Sequence, residues 1–287
     1  MEKINNVAVI GSGTMGAGIA QVAVQHGFTT VLYDIEEDQV KQAKHSIFKR
    51  LDRLVEKGKI SEDQRDSAKN LLFLTTNIEE VGQVDLVIEA APEKIEIKHS
   101  IFEKLEAVCS STAVLASNTS SLSITEISGR RDHPNRVAGL HFFNPAPLMP
   151  LVEVIKGMHT SEEVIETLRA FAVQLNKTPV FCKDTPGFIV NRVARPFYNE
   201  ALRMAQDQVA SVEQIDRIMR NIGGFKMGPF ELQDLIGIDI NYATTTTVYD
   251  SFSGESRFRP SSLQKQMVQG GRLGRKTEGG FYEYKPM

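Results

Sequence analysis

A glycine-rich turn near the amino terminus, VAVIGSGTMGAGIA at residues 7–20, constrains the fold more than any other segment. Gly11, Gly13 and Gly16 have G-x-G-x-x-G spacing, directly after an apolar run and at the start of a helical pattern. This context is typical of the first βαβ unit of a dinucleotide-binding domain. Gly11 permits a tight turn, Gly13 lets the backbone approach a pyrophosphate, and Gly16 lets helix and strand pack closely. The bare spacing also fits a purely structural strand-to-helix turn.

The residues around this turn extend the prediction to a cofactor. Ser12, Thr14 and Met15 fill the loop and the first helical turn, whose backbone N–H groups would face the phosphates. Asp34 ends the next predicted strand, 18 residues after Gly16, where a carboxylate accepts hydrogen bonds from the adenosine ribose. A carboxylate also repels the extra phosphate of NADP, so we expect NAD. Asp34 suits the cap of the following helix as well, and both roles can coexist.

Short apolar runs alternate with longer amphipathic stretches up to about residue 182, which predicts a parallel sheet with helices on both faces. The predicted strands are Asn6–Ile10, Thr30–Asp34, Val84–Ala90, Ala113–Ser117, Arg136–Phe142, Leu151–Lys156 and Thr178–Phe181. Helical patterns occupy 14–27, 36–57, 93–109 and 161–175. Residues 1–183 are therefore expected to form an α/β domain with a Rossmann-like, doubly wound sheet.

Residues 184–287 predict a smaller, all-α C-terminal domain. Its helical patterns run over 187–208, 211–221, 229–250 and 260–269. Asp184 or Thr185 is expected to cap the first of these helices, with Pro186 in its first turn. The apolar segment GPFELQDLIGID fits either a homodimer surface or the core of this domain.

Composition excludes several classes of protein. The 287 residues are 41% hydrophobic and 24% charged, and a formal net charge of −3 argues against a nucleic-acid-binding surface. We recognise no signal peptide and no apolar stretch near ~18 residues, so the sequence predicts a cytoplasmic protein that does not bind membranes. Cys109 and Cys182 lack the spacing of a metal or redox motif. Both are expected to be reduced thiols, and no metal site is predicted.

A histidine and a glutamate interrupt the apolar runs of AGLHFFNPAPLMPLVEVI, residues 138–155. In a hairpin around the proline-rich loop, residues equidistant from Pro147 lie opposite each other, which pairs His141 with Glu153. Glu153 would then orient the imidazole, and the other ring nitrogen would exchange a proton with a substrate. A lone histidine of this kind is otherwise more often a core residue, and Glu153 also fits an exposed edge-strand charge.

Six segments in order resemble the L-3-hydroxyacyl-CoA dehydrogenases, in particular the bacterial 3-hydroxybutyryl-CoA dehydrogenases. They are GSGTMGAGIAQVA, SNTSSLSI, HFFNPAPLMPLVEVI, DTPGFIVNR, GPFELQDLIGID and GRKTEGGFYEY. The resemblance covers nearly the whole chain. It implies an NAD-dependent oxidoreductase that interconverts (S)-3-hydroxyacyl-CoA and 3-oxoacyl-CoA. From the apolar segment GPFELQDLIGID we expect, in addition, a homodimer formed through the C-terminal domain.

The resemblance also implies catalytic roles for individual residues. His141 matches the catalytic base and Glu153 its carboxylate partner. Ser120, in SNTSS, matches a serine that contacts both substrate and cofactor, and Asn191, in FIVNR, matches an asparagine at the thioester side. From the residues alone, Ser120 also fits a helix cap and Asn191 a surface polar position.

Further contacts with the cofactor are implied outside the glycine-rich turn. They fall on Glu93, Lys98, Ser120, Asn144 and Lys276. Pro150 and Glu278 depart from the family pattern.

The helix after Asp34 offers a basic stripe for an anionic substrate. Arg50, Arg53 and Lys57 follow i, i+3, i+7 spacing and share one helix face. Together with Ser120 they are candidates for binding coenzyme A, with the stripe at its 3′-phosphate. The same stripe fits a solvated helix face.

Two other functions fit the sequence as well: a dehydrogenase of a free hydroxy acid or polyol, and a non-catalytic dinucleotide-binding protein.

Overall fold

An eight-stranded sheet forms the centre of the first part of the chain. The strands are β1 (Asn6–Ile10), β2 (Thr29–Tyr33), β3 (Leu72–Thr75), β4 (Leu86–Glu89), β5 (Val114–Ser117), β6 (Val137–Phe142), β7 (Leu151–Lys156) and β8 (Thr178–Lys183). Their order in the sheet is β3-β2-β1-β4-β5-β6-β7-β8. Neighbouring strands pair in parallel, apart from the antiparallel pair of β6 and β7. The predicted α/β, Rossmann-like class is confirmed.

The computed structural model describes residues 4–285. Two compact units divide the chain, one ending at Thr185 and the other beginning at Pro186. The helices of the first unit are α1 (Thr14–Gln25), α2 (Glu37–Glu56), α3 (Glu62–Asn70), α4 (Ile95–Val108), α5 (Ile124–Ser128) and α6 (Glu162–Gln174). The apolar faces of α1, α2, α3 and α6 pack against buried residues of the sheet, such as Val7, Leu86 and Leu140, in one continuous core.

The sequence patterns missed β3 and α3. Helix α3 buries one residue, Ala68, so it carries no apolar periodicity to detect. Its signal was a capping box, since Ser61 and Gln64 bond reciprocally at its first turn. Strand β3 is a four-residue strand at the end of the sheet, and its side chains are too few to show alternation.

The second unit is helical, as predicted. Its helices are α7 (Val190–Gln206), α8 (Val212–Asn221), α9 (Pro229–Ile236), α10 (Ile238–Ser251) and α11 (Ser262–Gln269). The single helix predicted over 229–250 was wrong, because Gly237 interrupts it with φ +104°, a conformation that L side chains rarely adopt.

The predicted cap of α7 was also wrong. The helix begins at Val190, and Pro186 lies in a turn before it. Asp184 instead binds the amino-terminal end of helix α5, since its Oδ2 accepts hydrogen bonds of 2.7 Å from both Ser123 Oγ and Thr125 N.

Two buried aspartates of the second unit hold its C-terminal tail. Asp234 accepts hydrogen bonds from the backbone N–H groups of Phe281 (3.0 Å) and Tyr282 (2.9 Å) and from the hydroxyl of Tyr284 (2.9 Å). Asp216 accepts one of 2.8 Å from the Tyr282 hydroxyl. Burial, with the hydrogen bond to Asp234, raises the pKa of Tyr284 to about 12, so this hydroxyl remains a donor at neutral pH.

Both cysteines are unbridged thiols, as expected. Burial raises the pKa of Cys109 to about 11 and that of Cys182 to about 12, which leaves little of the nucleophilic thiolate at neutral pH. Over residues 4–285, no helix combines the length and the apolar character that crossing a bilayer requires.

We predict that Asp234→Asn lowers the free energy of unfolding by about 1–3 kcal/mol, because the amide leaves one tail donor without its acceptor. Urea denaturation followed by circular dichroism measures the loss. Asp207→Asn, at an exposed position after α7, is the matched control and should change stability little. Equal effects of the two substitutions would contradict the tail-holding role.

Candidate active site

The predicted hairpin register of the histidine and the glutamate is confirmed. His141 on β6 lies opposite Glu153 on β7, and Nδ1 of the imidazole is 2.7 Å from Oε2 of the carboxylate. Glu153 is fully buried and His141 is 6% exposed. A carboxylate oxygen accepts hydrogen bonds, so Nδ1 is the donor in this contact. This arrangement suits a base whose ring is held in one orientation.

The candidate site residues of the first unit lie where its parallel strands end. Strands β1, β4, β5 and β6 are sheet neighbours that run in the same direction, so their carboxyl ends share one edge. The glycine-rich turn follows β1, and Ser120 follows β5. His141 lies next to the last residue of β6. Ligands of doubly wound folds bind at this edge.

The glycine-rich turn has the geometry that a pyrophosphate needs. A Cβ on Gly11, whose φ is +97°, would lie 2.7 Å from the carbonyl oxygen of Ala90. One on Gly16 would lie 1.7 Å from the carbonyl oxygen of Gly11, whereas Gly13 has open space in that direction. Gly13 is the N-cap of α1, and the first turn holds neither a side-chain cap nor an acidic residue. Its N–H groups and positive dipole end are therefore available to an anion, and the chain fits NAD here.

Asp34 lies beside this turn, as the ribose prediction requires. Its Oδ2 accepts hydrogen bonds from Ser12 N (2.7 Å) and Ser12 Oγ (2.8 Å). Ser12 thus ties the turn to the end of β2, while Thr14 is exposed and Met15 half-buried at the start of α1. The second carboxylate oxygen of Asp34 makes one long contact, 3.4 Å from Glu36 N.

Glu93 organises the loop that carries Ser120. Its Oε1 accepts hydrogen bonds from Thr119 Oγ1 (2.6 Å), Ser120 N (2.8 Å) and Ser120 Oγ (3.1 Å). Burial of the carboxylate would raise its pKa, but the charge of Lys98 and these hydrogen bonds outweigh it and lower the pKa of Glu93. Glu93 is therefore ionised at neutral pH, and its carboxylate fixes the backbone N–H and the hydroxyl of Ser120 by hydrogen bonds.

Lys98 lies in the core, which revises its predicted role as a direct cofactor contact. The side chain is 1% exposed, and Nζ donates to both oxygens of the fully buried Glu89, at 2.8 and 2.9 Å. The same Nζ is 3.4 Å from Glu93 Oε2. Lys98 can thus act on a cofactor through Glu93, by fixing the loop between β4 and α4.

The sequence patterns missed Glu89 and Asn118. Glu89 also accepts hydrogen bonds from Ser117 Oγ (2.6 Å) and Ala91 N (2.7 Å), which joins the ends of β4 and β5. Asn118 accepts one of 2.8 Å from Phe142 N, next to His141. The available signal was an acid that ends the apolar run LVIE, since such a residue must find a partner inside the fold.

The three residues of the basic stripe on α2 differ in their exposure to solvent. Arg50 is half-buried, and its NH2 is 3.4 Å from the carbonyl oxygen of Ala17 on α1. Burial lowers the pKa of Arg50. Arg53 and Lys57 are exposed, so their charges can reach a ligand phosphate.

The remaining predicted residues lie in loops or in the second unit. Asn144 is exposed in the loop after β6. Asn191 is in the first turn of α7. Lys276 pairs with Asp239, at 2.6 Å from each carboxylate oxygen, so contact with a cofactor would require it to share or leave this pair. Among residues 4–285, no group of three or more potential metal ligands occurs.

The fold and the residues at its ligand edge define a class: a dinucleotide-binding domain that presents a carboxylate-bound histidine. The chain belongs to the 3-hydroxyacyl-CoA dehydrogenase family. Residues 6–185 match the model of its NAD binding domain, and residues 187–284 match that of its C-terminal domain.

Individual relatives agree with the family models. The chain is 49% identical over 285 residues to the 3-hydroxyadipyl-CoA dehydrogenase of Escherichia coli (strain K12), covering 99% of this chain but 60% of that protein's length. It is 41% identical to the 3-hydroxybutyryl-CoA dehydrogenase of Clostridioides difficile, covering 97% and 99% of the two chains. The crystal structure of (S)-3-hydroxybutyryl-CoA dehydrogenase from Ralstonia eutropha superposes with a TM-score of 0.96 at 37% identity, covering 99% and 100%.

We predict that Lys98→Met lowers the free energy of unfolding by about 3–5 kcal/mol, because it leaves the Glu89 carboxylate buried without its cation. The measurement is urea denaturation at neutral pH. Lys104→Met, at an exposed position on the same helix, is the matched control and should change stability little. If both substitutions had the same small effect, Glu89 would be stabilised by something other than Lys98.

Proposed function

We propose that the chain is an NAD-dependent dehydrogenase that interconverts (S)-3-hydroxyacyl-CoA and 3-oxoacyl-CoA. The observation that carries this proposal is the hydrogen bond between His141 and Glu153, at the same sheet edge as the glycine-rich turn. A base held by a buried carboxylate beside a dinucleotide site suits the oxidation of an alcohol, in which a proton and a hydride leave neighbouring atoms.

His141 moves the proton of this reaction. In oxidation its Nε2 takes the proton of the C3 hydroxyl, and Glu153 stabilises the imidazolium that forms. The glycine-rich turn would hold NAD, which would supply the acceptor for the hydride of C3. In the reverse direction the protonated ring donates to the oxygen on which negative charge develops.

Ser120 and Asn191 orient the substrate in this proposal, as the resemblance implies. Glu93 supports the first of these roles, because its hydrogen bonds to the Ser120 N–H and hydroxyl fix the position of that hydroxyl. Donors placed in advance in this way lower the barrier by stabilising charge as it develops. Glu93, Asn144 and Lys276 remain proposed cofactor contacts.

We propose a short acyl chain. The names of the relatives mention 3-hydroxybutyryl-CoA and 3-hydroxyadipyl-CoA, which carry four and six acyl carbons. We also propose a homodimer formed through the second unit, where Ile218, Ile222 and Phe225 are 53%, 84% and 47% exposed. Two unbridged thiols suit a reducing compartment, which favours the cytoplasm.

Replacement of Glu153 tests the mechanism. We predict that Glu153→Gln lowers kcat by roughly 100-fold or more, because a neutral amide cannot stabilise the imidazolium. Glutamine keeps the volume of the side chain and one oxygen acceptor, so the melting temperature should change little. The measurements are NADH absorbance with 3-hydroxybutyryl-CoA and thermal denaturation.

Glu163→Gln, in the exposed first turn of α6, is the control for the change of acid to amide. It should leave both rate and stability near those of the unaltered protein. A Glu153→Gln protein that unfolds early but turns over normally when folded would refute the catalytic role.

The exposed pair Arg53 and Lys57 tests recognition of coenzyme A. We predict that the double substitution Arg53→Gln, Lys57→Gln raises KM for 3-hydroxybutyryl-CoA several-fold and leaves kcat nearly unchanged, because the lost charges bind the 3′-phosphate equally in all states. The 3′-dephospho thioester is the control substrate. If KM for this substrate rose as much, the two side chains would not contact that phosphate.

A further inference from the structure

The loop between β6 and β7, residues 143–150, connects the two strands that carry His141 and Glu153. It also carries Asn144, a proposed cofactor contact, at an exposed position. The place where this loop lies therefore decides how Asn144 meets a cofactor relative to the proton-transfer pair. Catalysis is sensitive to such placement at a scale of about 1 Å.

Lys177, directly before β8, ties this loop to the sheet. Its Nζ donates hydrogen bonds to the carbonyl oxygens of Ala146 (2.7 Å) and Met149 (2.9 Å). Burial lowers the pKa of Lys177, and among residues 4–285 no carboxylate offsets that effect. The two loop carbonyls are therefore the partners of this ammonium.

The turn that contains Lys177 does not need this side chain for its own closure. After α6, the backbone N–H groups of Asn176 and Lys177 donate to carbonyl oxygens of the helix, both at 2.9 Å. These backbone hydrogen bonds already close the turn, so the side chain of Lys177 acts on the β6–β7 loop.

Helix α1 approaches the same loop at Gly18. A Cβ on this glycine would lie 3.2 Å from Cβ of Ala146 and 3.4 Å from Cδ of Pro147, closer than most Cβ contacts in proteins. Ala146 is 2% exposed, in the core that α1 shares with the sheet. Gly18 lies one turn after Thr14, the first residue of α1, whose amino end would face the pyrophosphate. Glycine thus lets the loop pack against the helix of the glycine-rich turn.

We propose that Lys177 and Gly18 are positioning residues, which hold the β6–β7 loop so that Asn144 reaches a bound dinucleotide. This inference rests on the proposed dehydrogenase function, to which the cofactor contact of Asn144 belongs. Only the fraction of molecules whose loop lies in the binding position makes this contact, so a loosened or displaced loop lowers the apparent affinity for the cofactor. Both residues act through the loop and not on the reacting atoms.

Lys177→Met tests the two hydrogen bonds, because methionine keeps most of the apolar stem and removes the donors. We expect the Kd of NADH, measured by isothermal titration calorimetry, to rise about fivefold or more. In an Asn144→Ala background the same substitution should change this Kd by less than about twofold, because the contact that Lys177 positions is gone. Equal fold-changes in the two backgrounds would overturn the proposal, since a residue that only stabilises the fold acts independently of Asn144.

Two further lysine variants assign the effect to the donors. Lys177→Arg again offers N–H groups to both carbonyls, so the Kd of NADH should return to within about twofold of that of the unaltered protein. Lys104→Met, at the exposed position on α4, is the control and should leave the Kd unchanged. A folded Lys177→Arg protein that binds NADH no better than Lys177→Met would contradict the role of the hydrogen bonds.

Gly18→Ala tests the same loop from helix α1, and it decides the matter even if Lys177→Met does not fold. Alanine is the better helix former, so the variant should fold, but its methyl group presses on Ala146 and Pro147. We expect the Kd of NADH to rise about threefold or more, and the rise to fall below about twofold in the Asn144→Ala background. An unchanged Kd in folded Gly18→Ala would refute the positioning role.

The NADH titration contains no acyl-CoA, so it separates this inference from the proposed function. A protein that does not oxidise 3-hydroxybutyryl-CoA, but whose losses of NADH affinity depend on Asn144, would refute the dehydrogenase and retain the positioning of the loop. Normal turnover, with losses of affinity that are independent of Asn144, would retain the dehydrogenase and refute the positioning roles of Lys177 and Gly18.

Discussion

A carboxylate taken out of water must find a cation or a set of hydrogen-bond donors, and this requirement organises the ligand edge of the first unit. Glu89 is fully buried between two strand ends and is held by Lys98, and Glu153 is fully buried and holds His141. Each buried acid joins two segments that are distant in sequence. The loops at this edge are therefore fixed by charge pairing inside the fold as well as by the sheet beneath them.

The acidic residues at this edge also differ in what they contact. Glu153 contacts the imidazole itself, whereas Glu93 acts one step away, by holding the backbone and hydroxyl of Ser120. Lys98 lies behind both Glu89 and Glu93, so one buried ammonium supports two carboxylates that would otherwise repel each other. The same principle operates in the second unit, where Asp216 and Asp234 gather the donors of the tail.

Part of the candidate site could be predicted from local sequence patterns. The hairpin register followed from the period-two alternation of a strand, and the glycine-rich turn from a fixed spacing, and both depend on neighbouring residues alone. The partners of Lys98 and Lys276 could not be predicted in that way. Glu89 and Asp239 reach these lysines through the packing of separate elements, and a sequence pattern does not say which acid arrives.

The burial of Arg195 shows most clearly what a sequence pattern does not predict. On an amphipathic helix an arginine is ordinarily assigned to the solvent face, so its burial could be found only in the folded chain. Helix α10 holds this guanidinium, because NH1 donates to the carbonyl oxygen of Asn241 and to Thr245 Oγ1, both at 2.9 Å. Two neutral oxygens thus serve this buried cation, whereas a carboxylate serves Lys98, and the packing of separate helices decides which kind of acceptor each charge meets.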